Sequence, residues 1–262
     1  MIHVMKLKKQ YFDYIKYGTK EFEIRLNDEK RKKIKKGDYI EFQKEPLLEE
    51  KIIVKAEDLY YYNNFSELFN NIKIDYLADP STQKENLNRD LELFYPRDLQ
   101  KKFGVVAIKL KKDIIVSCSN LKKIPLNSNI FDLLRENYNN FDSWFIKMQS
   151  NNINAFYTEK KNKLTSIMIL KLNEIDSDQF FLPGNIMKIR TLMVSDKNKG
   201  IGSTYLKIVD EIAISNNINY IYLTIKVNNQ ELINFIEKRD YKIYNKINDE
   251  FVYYKEIRWV LF

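Results

Sequence analysis

The stretch Ile186-Met-Lys-Ile-Arg-Thr-Leu-Met-Val194, followed by the turn Lys197-Asn-Lys-Gly-Ile-Gly-Ser-Thr204, decides how this chain is read. The first run is apolar-rich and has the length of a strand. It feeds a turn carrying lysines and glycines, and that turn opens a helix whose apolar residues Tyr205, Ile208, Val209 and Ile212 recur at helical spacing. Beyond the helix, Asn219–Val227 is almost continuously apolar and β-branched, the pattern of a strand buried on both faces and parallel to its neighbour. Strand, turn, helix and strand make a βαβ unit.

Glycine is scarce, with only 6 in 262 residues, far below the roughly 7% of average proteins. Two of the six, Gly200 and Gly202, sit where the helix begins. There, free backbone N–H groups and the helix dipole favour an anion, and a missing Cβ lets a phosphate come close. Neither the Walker pattern nor the full GxGxxG of a dinucleotide turn is met. The turn is therefore expected to hold its anion through backbone groups.

The motif Lys197-x-x-Gly200-x-Gly202 resembles the signature of the GNAT superfamily of acetyl-CoA-dependent N-acetyltransferases, with Lys where Arg or Gln is usual. The following Val227-Asn228-Asn229 and Leu232–Tyr241 are similar to the family's next segment, with Ile236 at the place of its frequent proton-donating Tyr and Asp240 at the place of a Gly. The resemblance implies that two parallel strands splay apart to admit pantetheine. Backbone groups of Met193, Val194 and Ser195 would pair with it. The amides of Asn198, Lys199, Gly200, Ile201, Gly202 and Ser203, continuing to Thr204, would hold the pyrophosphate, with Lys197 and Lys199 adding charge. Asn229 is read as a cofactor contact or simply a helix N-cap. Glu174 is a candidate base or a surface residue, and Tyr253 or Tyr205 a candidate substitute acid. Trp144 and Phe145 are read as acceptor contacts or as core.

Toward the N-terminus the pattern changes to short alternating strands. Gln10–Tyr17 reads as a helix stopped by Gly18, Glu21–Arg25 and Tyr39–Phe42 as half-exposed strands, and Lys51–Leu59 as a further strand. Asn64–Asn71 reads as a helix and Phe103–Leu110 as an apolar strand. Many short strands with helical plugs suggest a compact barrel. Within it, Ile15-x-x-Gly18-x-Lys20-x-x-Glu23-x-Arg25, Ile34-x-x-Gly37-Asp38 and Tyr95-Pro96 with Phe103-Gly104-Val105-Val106 resemble the ASCH domain, a PUA-like barrel. That resemblance implies RNA binding, with Lys20, Glu23 and Arg25 lining a cleft. A branch of the family hydrolyses acetylated cytidine using a Thr where this chain has Glu23, so binding is favoured over hydrolysis. The charge run containing Lys32, Lys33 and Lys35 is read as a phosphate contact or a solvated loop.

The expected architecture is thus α+β, a PUA-like ASCH barrel over 1–112 followed over 113–262 by a GNAT α/β domain with a mixed, splayed sheet. Both parts are mildly basic: 24 Lys and Arg against 19 Asp and Glu in the first, 20 against 17 in the second. With one cysteine, Cys118, and one histidine, His3, an intrachain disulfide is impossible and neither a metal site nor a Cys-His or Ser-His hydrolase is expected. No apolar run reaches 18 residues and no signal peptide is seen, so the expected location is cytoplasmic, with no membrane partner. The leading expectation is an acetyl-CoA-dependent N-acetyltransferase whose first domain presents an RNA or nucleotide acceptor, for example tRNA. Alternatives are a protein or small-amine acceptor, or a non-catalytic RNA-binding protein. Oligomeric state is not legible.

Overall fold

The computed structural model describes residues 1–78, 82–128, 131–137, 139–149, 153–160, 163–173, 181–195 and 199–257. The chain divides into two compact units, Met1–Cys118 and Ser119–Phe262. Strand β5 (Val105–Asn120) runs across the division. The sequence pattern ends a strand at Leu110 and puts the domain boundary near Lys112; Lys111, Lys112 and Asp113 are instead partly or fully exposed residues of one continuous strand.

In the first unit β1 (Ile2–Leu7) pairs in parallel with β3 (Tyr39–Lys44), while β3 with β4 (Lys51–Tyr62), β4 with β5, and β5 with β2 (Phe22–Leu26) are antiparallel. Helices α1 (Lys9–Lys16), α2 (Phe65–Asn71), α3 (Lys84–Phe94) and α4 (Arg97–Phe103) fill the connections. The order β1-β3-β4-β5-β2 leaves β1 and β2 without a ladder between them among the described residues. The compact barrel expected from the sequence is therefore not closed, and β4 carries two irregularities, at Ile53/Lys55 and Ala56/Asp58. Alternation along β5 divides the core: Val106 and Ile108 pack with Phe12, Phe42 and Val54 on one face, Val105 and Ala107 with Phe65 and Leu68 on the other.

The second unit places α5 (Asp132–Asn137) and α6 (Phe141–Gln149) before the antiparallel strands β6 (Asn154–Lys160), β7 (Lys163–Leu172) and β8 (Ile186–Val194). Then come α7 (Ile201–Ser215), β9 (Tyr220–Lys226), α8 (Gln230–Glu237), β10 (Lys242–Ile247) and β11 (Glu250–Glu256). Two helices, three antiparallel strands, helix, strand, helix and two strands is the element order the GNAT resemblance implies. α7 buries Ile201, Tyr205, Leu206, Ile208, Val209 and Ala213, the face that its 3.6-residue periodicity announces. Phe145 is fully buried, its ring stacked on Phe141 at 5.6 Å, and Trp144 packs partly buried against the same cluster. Phe145 is thus core, and the acceptor role offered for it is withdrawn.

Candidate functional site

In the second unit β8 and β9 are parallel but pair only from Ile186↔Tyr220 to Lys188↔Tyr222. Past Lys188 the strands part, β8 continuing on β7 and β9 on β11. Ser195 directs both its N–H (2.9 Å) and its Oγ (2.7 Å) to the Thr165 carbonyl. In an antiparallel ladder bonded and outward-facing residues alternate, so Met193 is also turned to β7, while Leu192 and Val194 offer their backbone groups to the fork. Of the three backbone contacts expected there, Val194 faces the opening and Ser195 does not.

Helix α7 begins at this fork. Gly200 precedes it at φ +77°, a left-handed conformation that explains this glycine without any ligand, and no side chain caps the helix. The N–H of Thr204 reaches the Gly200 carbonyl; those of Ile201, Gly202 and Ser203 have no acceptor among the described residues. The glycine at 202 has a packing cause, because a Cβ there would lie 2.9 Å from Phe235 Cζ. On that same Phe235 ring lies the Arg239 guanidinium, 3.7 Å from the centroid, donating to the Phe235 carbonyl (2.6 Å) and to Ser203 Oγ (2.8 Å). A fixed cation thus stands beside three helix-start amides. Asn229 accepts from Leu232 N–H at 3.2 Å and is the N-cap of α8.

The candidate acids are occupied. Tyr253 is buried and donates to Glu237 Oε1 at 2.7 Å; burial, then the Glu237 bond and charge, pushes its pKa up to about 12. Tyr205 shares a 2.6 Å hydrogen bond with Ser166 Oγ, which also meets Thr158 Oγ1 at 2.6 Å, and burial raises the Tyr205 hydroxyl well above its ordinary range. Ile236, at the place of the family's Tyr, is fully buried. Glu174, Lys197 and Asn198 lie outside the described residues.

In the first unit the seam between β1 and β2 opens into a cleft of about 740 Å³, walled by α3. Lys20 and Glu23 are 4% and 1% exposed, so charged groups are committed to its floor. Glu23 Oε1 pairs with Arg25 Nη1, and Lys20 Nζ stands 3.5 Å from Glu23 Oε2 while donating to the Leu77 carbonyl at 2.7 Å. Arg25 Nη2 reaches across the seam to the Lys6 carbonyl, 3.1 Å away. Burial lowers the Lys20 pKa, although Glu23 opposes the shift. Arg25 is held above its ordinary value because Glu23 and Tyr95 outweigh its desolvation. Around the mouth stand Lys6, Lys8, Lys30, Arg31 and Lys33, opposed by Glu45 and Asp90.

Two solved structures are similar to part of this chain. The hypothetical protein PH0355 is 34% identical over 42% of this chain and 98% of its own (TM-score 0.38), and protein PF0455 from Pyrococcus furiosus is 32% identical over 42% and 96% (TM-score 0.35). Residues 5–113 match the ASCH domain family. The N-terminal unit is an ASCH domain. Other similar structures include the PaiA N-acetyltransferase of Thermoplasma acidophilum in complex with coenzyme A, 17% identical over 54% of this chain and 98% of that one (TM-score 0.37). No curated protein matches the chain.

Within the ASCH domain, Lys20, Glu23 and Arg25 all line the cleft, with buried Glu23 paired to both cations, so that neither cation is a free phosphate donor. From the basic run, Lys33 lines the cleft together with Lys30 and Arg31; Lys32 is paired with Glu29 at 2.7 Å, and neither it nor Lys35 lines the cleft. Sequence reasoning missed β1 and α3, which supply two walls, and Arg239. The largely apolar run Ile2–Leu7 and the spacing of Leu87, Leu91 and Phe94 were the available signals. Among the described residues no three His, Cys, Asp or Glu side chains are placed to hold a metal, and no helix is long and apolar enough to cross a membrane.

Proposed function

We propose that this chain is an acetyl-CoA-dependent N-acetyltransferase whose ASCH domain binds the RNA, or nucleotide-containing molecule such as tRNA, that bears the acceptor amine. The observation that carries this reading is the fork: two parallel strands paired over three residues and then parted, with an uncapped helix starting at the opening. The N–H groups of Ile201, Gly202 and Ser203, with Arg239 beside them, suit a diphosphate, and the outward backbone of Leu192 and Val194 suits the amides of pantetheine. Acetyl-CoA would supply an activated acyl thioester. The acceptor amine is itself the nucleophile, so the chain needs no Cys-His or Ser-His pair; its task is to align and desolvate the amine and polarise the carbonyl. One cysteine in the whole chain suits a cytoplasmic setting.

The test is thiol release from acetyl-CoA in the presence of total cellular RNA or protein, followed by RNase treatment of the labelled product. Thiol release with RNase-sensitive label is expected. RNase-resistant label would move the acceptor to protein or a small amine. The burial of Ile236 and the internal bonding of Tyr205 and Tyr253 favour one second reading, a non-catalytic RNA-binding protein. Retained RNA binding without thiol release would select it.

A further inference from the structure

Glu23 is almost completely buried on the cleft floor, and its two carboxylate oxygens are unequal. Oε1 is taken by Arg25, whereas Oε2 has no hydrogen-bond donor among the described residues, the Lys20 ammonium being 3.5 Å away and turned to the Leu77 carbonyl at 2.7 Å. A buried acceptor left without a donor is costly, and native structures leave few of them. Glu23 itself lines a cavity large enough for a nucleotide.

The surroundings restrict what can donate to it. A free anion is repelled by the carboxylate itself. A metal cation or a polyamine meets Lys20 and Arg25 at the floor and Lys6, Lys8, Lys30, Lys33 and Arg31 at the mouth, the last paired with Asp28 at 3.0 Å, against Glu23, Glu45 and Asp90 among the described lining residues. A neutral N–H donor joined to an anionic tail satisfies both ends, with the tail among Lys30, Arg31 and Lys33. The walls favour a flat donor: Tyr11, whose ring lies 5.4 Å from Lys20 Nζ, and Tyr95 both face the cavity. Aromatic walls of this kind accept stacked bases.

We propose that the ASCH cleft selects nucleotides whose base carries an exocyclic amino group, read by Glu23 Oε2, with the phosphate at the cationic mouth. The inference rests on the reading of this domain as the RNA-binding part of the protein and gives that reading a base preference. Replacing the amine by a carbonyl, as adenine to hypoxanthine or cytosine to uracil does, would set two acceptors against each other at Oε2.

The experiment is calorimetric titration of the full-length protein with AMP against IMP and CMP against UMP. The amino-bearing member of at least one pair is expected to bind tenfold or more tightly than its partner. In Glu23→Gln, whose amide can give its oxygen to Arg25 and its NH2 to the cavity, that preference should vanish or reverse. Equal affinities within both pairs for the wild-type protein overturn the proposal, as does an unchanged preference in Glu23→Gln. Should Glu23→Gln fail to fold by circular dichroism, the wild-type pairs still decide. If none of the four nucleotides binds while tRNA does, base selection at Glu23 is rejected and the RNA reading stands; if tRNA also fails, both fall. Acetyl-CoA binding, titrated in parallel, reports on the transferase reading independently.

Discussion

The ASCH cleft and the β8/β9 fork both present N–H donors, yet they are built from opposite materials. In the cleft the charge belongs to side chains: Lys20 and Glu23 are buried together, and the partly exposed Arg25 is paired with Glu23. At the fork the donors are peptide N–H groups exposed by a helix start, with one stacked guanidinium as the side-chain contribution. Side-chain sites are tied to residue identity and fail when one partner is lost, because the remaining charges are stranded in low dielectric. Backbone sites tolerate most substitutions and fail through geometry.

The largest effect expected from this contrast is in Glu23→Ala. Stranding Lys20 and Arg25 should cost the ASCH unit about 3–5 kcal/mol, read as a lowered midpoint of its urea transition. A loss below 1 kcal/mol would mean that the triad is hydrated rather than buried. Next comes Gly202→Glu, which drives a side chain into Phe235 and a carboxylate toward the helix-start amides. It should abolish acetyl-CoA binding and cost about 1–3 kcal/mol in packing, whereas Gly202→Ala should show the packing cost alone. Unchanged acetyl-CoA affinity in Gly202→Glu would refute the fork as the diphosphate site.

Smaller effects sharpen the comparison. Arg239→Ala should weaken acetyl-CoA about tenfold, the order of one charge-assisted hydrogen bond, and flatten the salt dependence of its affinity; calorimetry between low and high salt would show it. Last is an alkaline effect in the second unit. Burial raises Tyr253 and Tyr222 to about 12, above the ordinary value near 10. The folded state thus keeps protons that the unfolded chain releases. Their stabilisation is complete below pH 10 and is lost as pH climbs to 12. Denaturant midpoints should fall across that window, and less steeply in Tyr253→Phe.

Legibility in the sequence followed the same division. Lys20, Glu23 and Arg25 were found by motif, because a side-chain site leaves its residue types in the chain. Their spacing did not show that they would pair with each other, since that depends on α3 and β1 closing over them. The fork was found through glycines, but for a reason the structure revises: Gly200 serves a left-handed turn and Gly202 the Phe235 ring. β8 was legible to the residue, and α7 and β9 nearly so, because periods of 2 and 3.6 are local. Arg239 was not, because its place depends on stacking over Phe235 and reaching Ser203, 36 positions away. The barrel expectation failed at one missing ladder, where Arg25 Nη2 on the Lys6 carbonyl replaces backbone pairing.

The parted strands have a further consequence, for solubility rather than chemistry. Beyond Lys188 each has one flank without a strand neighbour among the described residues, so the fork is a sheet edge concealed in the middle of a sheet. Such edges recruit foreign strands unless something covers them. A molecule lodged there would act as a plug, and light scattering of protein held with and without coenzyme A would register the cofactor-free form as the one that self-associates.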